Sequence, residues 1–112
     1  MFLVVLFLGL VFITIKKMNK DLDKLLFNPI RLKIISFLFS VENTNFKKLI
    51  EVSGASKGNL SIQLKKLSGA GYIKIKKSFE NNYPLTKCRI TFNGRKAFEN
   101  FFKNLESLKQ HK

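Results

Sequence analysis

The chain has 112 residues, 46% of them hydrophobic, enough for one ordinary domain with its own core and too few for a second. Against 21 lysines and arginines stand 7 acids, a formal net charge of +14, so the partner to expect is a polyanion: DNA, RNA or an anionic membrane. One histidine, His111, and one cysteine, Cys88, cannot form a Cys/His cluster, a thiol pair or a triad within one chain, which argues against an enzyme, a bound metal or a cofactor.

Met1 to Ile15 is an uncharged run of mostly Phe, Leu, Val and Ile, closed by Lys16-Lys17. As a helix it would span about 22 Å, short of the roughly 30 Å of a hydrocarbon core. It lacks the basic leader and small-residue cleavage site of a signal peptide. Residues 1–17 are therefore set apart from residues 18–112, which carry the domain. Asp21 to Phe27 is a short amphipathic segment, and Asn28-Pro29 offers an N-cap with proline at the first helical position. Ile30, Ile34, Phe37 and Leu38 recur at helical spacing, predicting a first helix to about Ser40. Glu42-Asn43-Thr44-Asn45 reads as a polar break. Phe46, Leu49 and Ile50 define a second helix of about two turns, ended by a left-handed turn at Gly54.

Ser56 is placed to cap a third helix, about 57–68. At about 100° per residue Leu60, Leu64 and Leu67 fall in one narrow stripe, the buried seam. Gly58, Asn59, Ile62, Lys65 and Lys66 fall opposite, with Ser61 at the flank, and no acid interrupts that face. Helix, tight turn and helix are thus written in order. After Gly71 the period changes to two: Tyr72-Ile73-Lys74-Ile75-Lys76 and Thr86-Lys87-Cys88-Arg89-Ile90-Thr91 alternate as half-buried strands do. Asn81 to Pro84 makes the turn of a hairpin, about 72–91, whose cationic side chains share a face. Its tip, with Lys77, Asn81 and Asn82, can reach a groove or phosphates, and Cys88 packs beneath it. From Asn93 a last helix, about 93–110, carries an apolar stripe of Phe98, Phe101, Phe102, Leu105 and Leu108. Only part of that stripe is needed for one small core, so the rest is expected to meet a second copy of the helix or the Asp21 to Phe27 segment.

Four local motifs resemble the winged-helix DNA-binding domain of small prokaryotic regulators, relatives of the MarR and ArsR proteins. They are Asn28-Pro29-Ile30-Arg31-Leu32-Lys33-Ile34-Ile35, Phe46-Lys47-Lys48-Leu49, Gly58-Asn59-Leu60-Ser61 with Leu64, Leu67 and Gly71-Tyr72-Ile73, and Ile90-Thr91-Phe92-Asn93-Gly94-Arg95 with Ala97-Phe98. The third is the most specific, and the resemblance covers about residues 20 to 110. It implies an α+β, mainly helical winged helix-turn-helix: a three-helix core, a β-hairpin wing and a C-terminal dimerisation helix, here with an extra apolar N-terminal segment. It also implies a sequence-specific repressor or activator, bound as a homodimer to double-stranded DNA, with one recognition helix in each major groove of a pseudo-palindromic site. Carried over by position, the base-reading candidates are Lys57, Gly58, Asn59, Ser61, Ile62 and Lys65. Lys66, Lys76, Lys77, Lys87 and Arg89 then touch phosphates, supplying affinity and salt dependence rather than sequence choice.

Three readings compete for the apolar start: a membrane anchor, a hydrophobic arm buried in a dimer, or a start assigned too early. The third is favoured, because Met18-Asn19-Lys20-Asp21 reads like an ordinary soluble start and the resemblance begins just after it. The location expected is cytoplasmic, at the nucleoid, with a lone cysteine suited to reducing conditions. If residues 1–15 insert, Lys16, Lys17 and Lys20 keep the domain on the cytoplasmic side of a membrane. The alternative function is a winged helix used as a protein-interaction or RNA-binding module. No ligand-typed cluster points to an effector.

Overall fold

Asn28 is where the chain commits to helix. In the computed structural model, which describes residues 22–110, Asn28 Oδ1 accepts from the backbone N–H groups of Ile30 and Arg31, each at 3.0 Å. Pro29, whose own φ suits a first helical turn and whose missing N–H costs nothing there, opens α1 (Pro29–Phe39). The apolar run 1–15, the alternative start at Met18 and His111 lie outside the described residues. Among the described residues no helix is long and apolar enough to cross a membrane.

The expected polar break is instead partly a strand. Thr44–Asn45 forms β1, pairing antiparallel with Cys88 and Lys87. Two residues are too few to show a period of two, so the sequence carries no strand signal there. Asn45 has a second duty: its Oδ1 accepts from Lys48 N at 2.8 Å and caps α2 (Phe46–Ser53). Gly54, at φ 70°, ends α2 as expected and donates to Ile50 O at 2.9 Å, a conformation a Cβ would oppose. Ser56 Oγ then accepts from Asn59 N at 3.2 Å and starts α3 (Lys57–Gly69).

β2 (Ile73–Glu80) and β3 (Tyr83–Ile90) form the hairpin, and the sheet order is β1-β3-β2. The turn is two residues long, not four. Asn81 and Asn82 adopt φ 52° and 66°, the left-handed region that asparagine tolerates and that suits a tight hairpin, so Tyr83 and Pro84 become strand residues opposite Glu80 and Phe79. Pro84 is tolerated because the pair beside the closing pair of a two-residue hairpin exchanges no ladder bonds. Its outer side is also free of β1, which pairs only as far as Lys87.

Thr91 begins α4 (Phe92–Ser107), its Oγ1 accepting from Gly94 N at 3.0 Å and donating to Gly71 O at 2.6 Å. A short 3-10 turn, Leu108–Gln110, follows, so the last helix starts one residue earlier and ends in a tighter turn than the apolar stripe indicates. Leu60, Leu64 and Leu67 point inward from α3 as the stripe requires, meeting Ile34, Ile35, Leu38, Leu49, Ile73, Ile90 and Phe101. Each such leucine contributes about 2 kcal/mol of burial. Arg95 ties α4 to the end of α1, donating from Nη1 to Phe39 O at 3.2 Å while its guanidinium lies 5.1 Å from the Phe39 ring centre. The segment before α1 is held by Tyr72, whose hydroxyl donates to Asp23 Oδ2. Burial, reinforced by that bond and the nearby carboxylate charge, pushes the Tyr72 phenol up to about 12.

Cys88 packs beneath the hairpin, 1% exposed, and burial pushes its thiol up to about 11. At pH 8 the thiolate population is expected to be about a hundredfold below that of the unfolded chain. Iodoacetamide should therefore label the native protein at least that much more slowly than the protein in denaturant. Equal rates would mean that the hairpin does not cover the sulfur.

Candidate nucleic-acid interface

The outward side of α3 is the side left over once its leucines are buried. Lys57, Gly58, Ser61, Ile62, Lys65 and Lys66 are exposed and Asn59 is half-buried. Ile62 is 55% exposed, a large apolar side chain left in solvent among polar and cationic neighbours. Nothing lies within 4 Å of a Cβ built on Gly58, so packing does not demand glycine there and the backbone is open to close approach.

α3 and the hairpin enclose a trough. One part, of about 850 Å³, lies among Phe46, Lys47 and Ile50 of α2, Lys57 of α3, and Pro84 to Thr86 of β3. A smaller part, of about 290 Å³, lies among Ser61, Ile62 and Lys65 of α3 and Lys77 of β2. Phe46 and Thr86 line both. Lys47, Lys57, Lys65 and Lys77 therefore surround one concavity, with Glu51 on its rim paired to Lys48 at 3.6 Å. Lys47 and Thr86 were not singled out by the sequence. Neither belongs to the third helix or to a cationic stripe, and only tertiary packing brings them to this wall.

The hairpin cations do not all share a face. Register pairs Lys74 with Arg89 and Lys76 with Lys87, and all four are exposed on the side away from the core. Lys77, opposite Thr86, lies on the other side with Ile73 and Ile75. The physical reason is that β2 runs past the end of the core. Its inward-facing positions then border the trough rather than apolar residues, and a lysine fits there. Asn81 and Asn82 sit at the exposed tip, as expected.

Asn59 is the best-oriented side chain of the group. Its Oδ1 accepts from Gln63 Nε2 at 2.9 Å, and Gln63 Oε1 accepts from Arg31 Nη1. Arg31 Nε in turn donates to Leu25 O at 2.5 Å. Gln63 is 8% exposed, so this relay runs under the helix and holds the Asn59 amide from behind, leaving Nδ2 as the donor available to a base. Asn59 and Gln63 are neighbours at i, i+4 on α3, but Arg31 lies 32 residues before Gln63 and shares no motif with it, which is why the relay is invisible in the sequence.

The apolar stripe of α4 is divided. Phe101 is buried and stacks edge-on against Phe27 at 6.1 Å, so it belongs to the chain's own core rather than to a partner. Phe98 is half-buried between Phe39 and Phe102. Phe102, Leu105 and Leu108 are 54%, 41% and 54% exposed, and Phe27 is 65% exposed. Leu105, Phe27 and Leu32 line an apolar groove of about 420 Å³. Among the described residues no group of histidine, cysteine and acid side chains could hold a metal ion.

The family model for the winged helix DNA-binding domain matches residues 30–108. An uncharacterized protein of Methanocaldococcus jannaschii is 33% identical over 88 residues, covering 79% of this chain and 96% of that protein. A transcriptional regulator homologue from Pyrococcus horikoshii has a TM-score of 0.74 at 27% identity, over 86% of this chain and 93% of that one. The S. aureus MepR protein, solved as a complex with DNA, has the same fold, with a TM-score of 0.66 at 14% identity over 95% of this chain and 86% of that one. Regulators of the MarR family are among the further structural neighbours. With the order of elements, the capped helix-turn-helix and the three-stranded wing already in place, the chain belongs to the winged-helix DNA-binding domain family and has the fold of the MarR-like regulators.

Proposed function

We infer that this protein is a sequence-specific, DNA-binding transcriptional regulator acting as a homodimer, with α3 in the major groove and the hairpin on the flanking backbone or minor groove. The observation that carries it is the acid-free outer face of α3 opening directly into the trough bordered by Lys57, Lys65 and Lys77. Lys57, Gly58, Asn59, Ser61, Ile62 and Lys65 read bases: Asn59 Nδ2 donates to a purine or thymine acceptor, and Ile62 meets a thymine methyl. Lys66, Lys77, Asn81 and Asn82 contact operator phosphates, while Lys76, Lys87 and Arg89 are turned to the far side of the wing, away from that duplex. Phe102, Leu105 and Leu108, with Phe27 beside them, form the surface that meets a second copy. Such an assembly works in the cytoplasm, where the DNA is, and needs no cofactor.

The test is a salt-titrated binding assay of the full chain on a duplex selected by the protein from a random pool, against a scrambled duplex. The selected duplex should win by at least about a hundredfold. Asn59→Ala should erase most of that preference, and Lys77→Ala should weaken both duplexes alike and lower the salt slope by about one. If selection yields no preferred sequence and binding is salt-driven only, the sequence-specific reading falls and an RNA or protein partner takes its place.

A further inference from the structure

Lys74 stands opposite Arg89, and Lys76 opposite Lys87, on the outer face of the hairpin. Directly opposed side chains in an antiparallel pair have Cβ atoms about 5 Å apart, and like charges there are destabilising. The two pairs follow one another at about 7 Å along the strands, so four positive charges crowd one small patch. The acid on these strands, Glu80, shares the face but sits at the tip, about 13 Å beyond Lys76. All four cations are exposed, and with Asn43, Ile75 and Cys88 they border a depression of about 370 Å³. The same patch faces away from the trough, because Ile73, Cys88 and Ile90, on the reverse of the same strands, are buried in the core.

We propose that the outer face of the wing, built from Lys74, Lys76, Lys87 and Arg89, is a second DNA-binding surface, which holds the phosphate backbone of a different duplex segment from the one under α3. The proposal rests on the DNA-binding reading above and extends it to bridging. Two pairs of exposed cations about 7 Å apart along the strands suit an extended anion whose charges recur along its length. The apolar side chains between the cation pairs are not exposed anchors of the kind a protein partner would depend on, since Cys88 is buried and Ile75 is half-buried. Binding a backbone relieves the repulsion that the folded hairpin otherwise carries.

The experiment uses the full chain, a short duplex only as long as the selected site, and a second, differently labelled duplex without it. The wild-type protein seated on the immobilised first duplex should capture the second. The variant Lys74→Gln, Lys76→Gln, Lys87→Gln, Arg89→Gln should bind the first duplex within about threefold of wild type, with the same salt slope, and capture at least about tenfold less of the second. Its melting temperature at low salt should equal or exceed that of wild type, since opposed like charges have been removed. If wild type binds the first duplex tightly and captures none of the second, bridging is wrong and the DNA-binding reading stands. If the variant instead loses affinity and slope on the first duplex, the four cations grip the same DNA as α3 and the proposal is overturned. If wild type binds neither duplex at low salt, both readings are removed.

Discussion

Gly94→Ala is expected to lower the stability of the fold by about 3 kcal/mol, near the upper end of what overpacking costs, and the melting temperature by about 15 °C. A Cβ at this position would lie 2.1 Å from Tyr72 O and 2.8 Å from Ile90 Cγ1. Neither neighbour can yield cheaply. Tyr72 O is a backbone atom already accepting from Thr91 N at 3.0 Å, and Ile90 is buried in the core. The close approach lets α4 start directly against the root of the wing, so the substitution would separate the last helix from the sheet. Since a domain of this size has a total stability of only about 5–15 kcal/mol, much of it is at stake. Gly58→Ala is the matched control. The added Cβ meets nothing within 4 Å, so thermal melting should be unchanged or slightly raised by the gain in helix propensity. Two curves identical to the parent would mean that α4 is not seated where Gly94 places it.

The second large effect concerns assembly. Phe102→Glu together with Leu105→Glu should convert a dimer to a monomer in light scattering at micromolar concentration, because both side chains are exposed and Leu105 lines the apolar groove, so carboxylates would replace the apolar surface. The fold itself should hold, since Phe101, their buried neighbour, is untouched. Operator affinity should fall by about a hundredfold or more, because a dimer makes its second half-site contact at a high effective concentration that a monomer lacks. Wild-type protein running as a monomer under the same conditions would end the homodimer proposal, whatever the variant does. A variant that stays dimeric would place the interface elsewhere.

Much of the site could be read from the residues in order. Leu60, Leu64 and Leu67 specify which side of α3 is buried, so Lys57, Ser61, Ile62 and Lys65 had to face out. Asn28, Gly54 and Ser56 mark element ends through side-chain and backbone chemistry that acts within three residues. The misread positions share a different property. Tyr83 and Pro84 read as turn residues because proline normally breaks a ladder, and the hairpin register together with the shortness of β1 makes the missing donor harmless. Lys77 reads from the sequence as part of the hairpin tip with Asn81 and Asn82, and only the register, which sets it opposite Thr86, shows that it borders the trough instead.

The sequence by itself determined the helices and the hairpin, the caps at Asn28 and Ser56, the stop at Gly54, the buried seam of α3 and the excess of positive charge, because periodicity, capping and composition act along the chain over a few residues. The tertiary structure alone decided which cations surround the trough and which face away from it. It also decided that Arg31 and Gln63 hold Asn59 from behind, that Phe101 stays with its own core while Phe102 and Leu105 do not, and that Gly94 touches Tyr72. Each of these depends on the distance between residues separated by many positions, and that distance is set by how helices and strands pack, a quantity no local pattern contains.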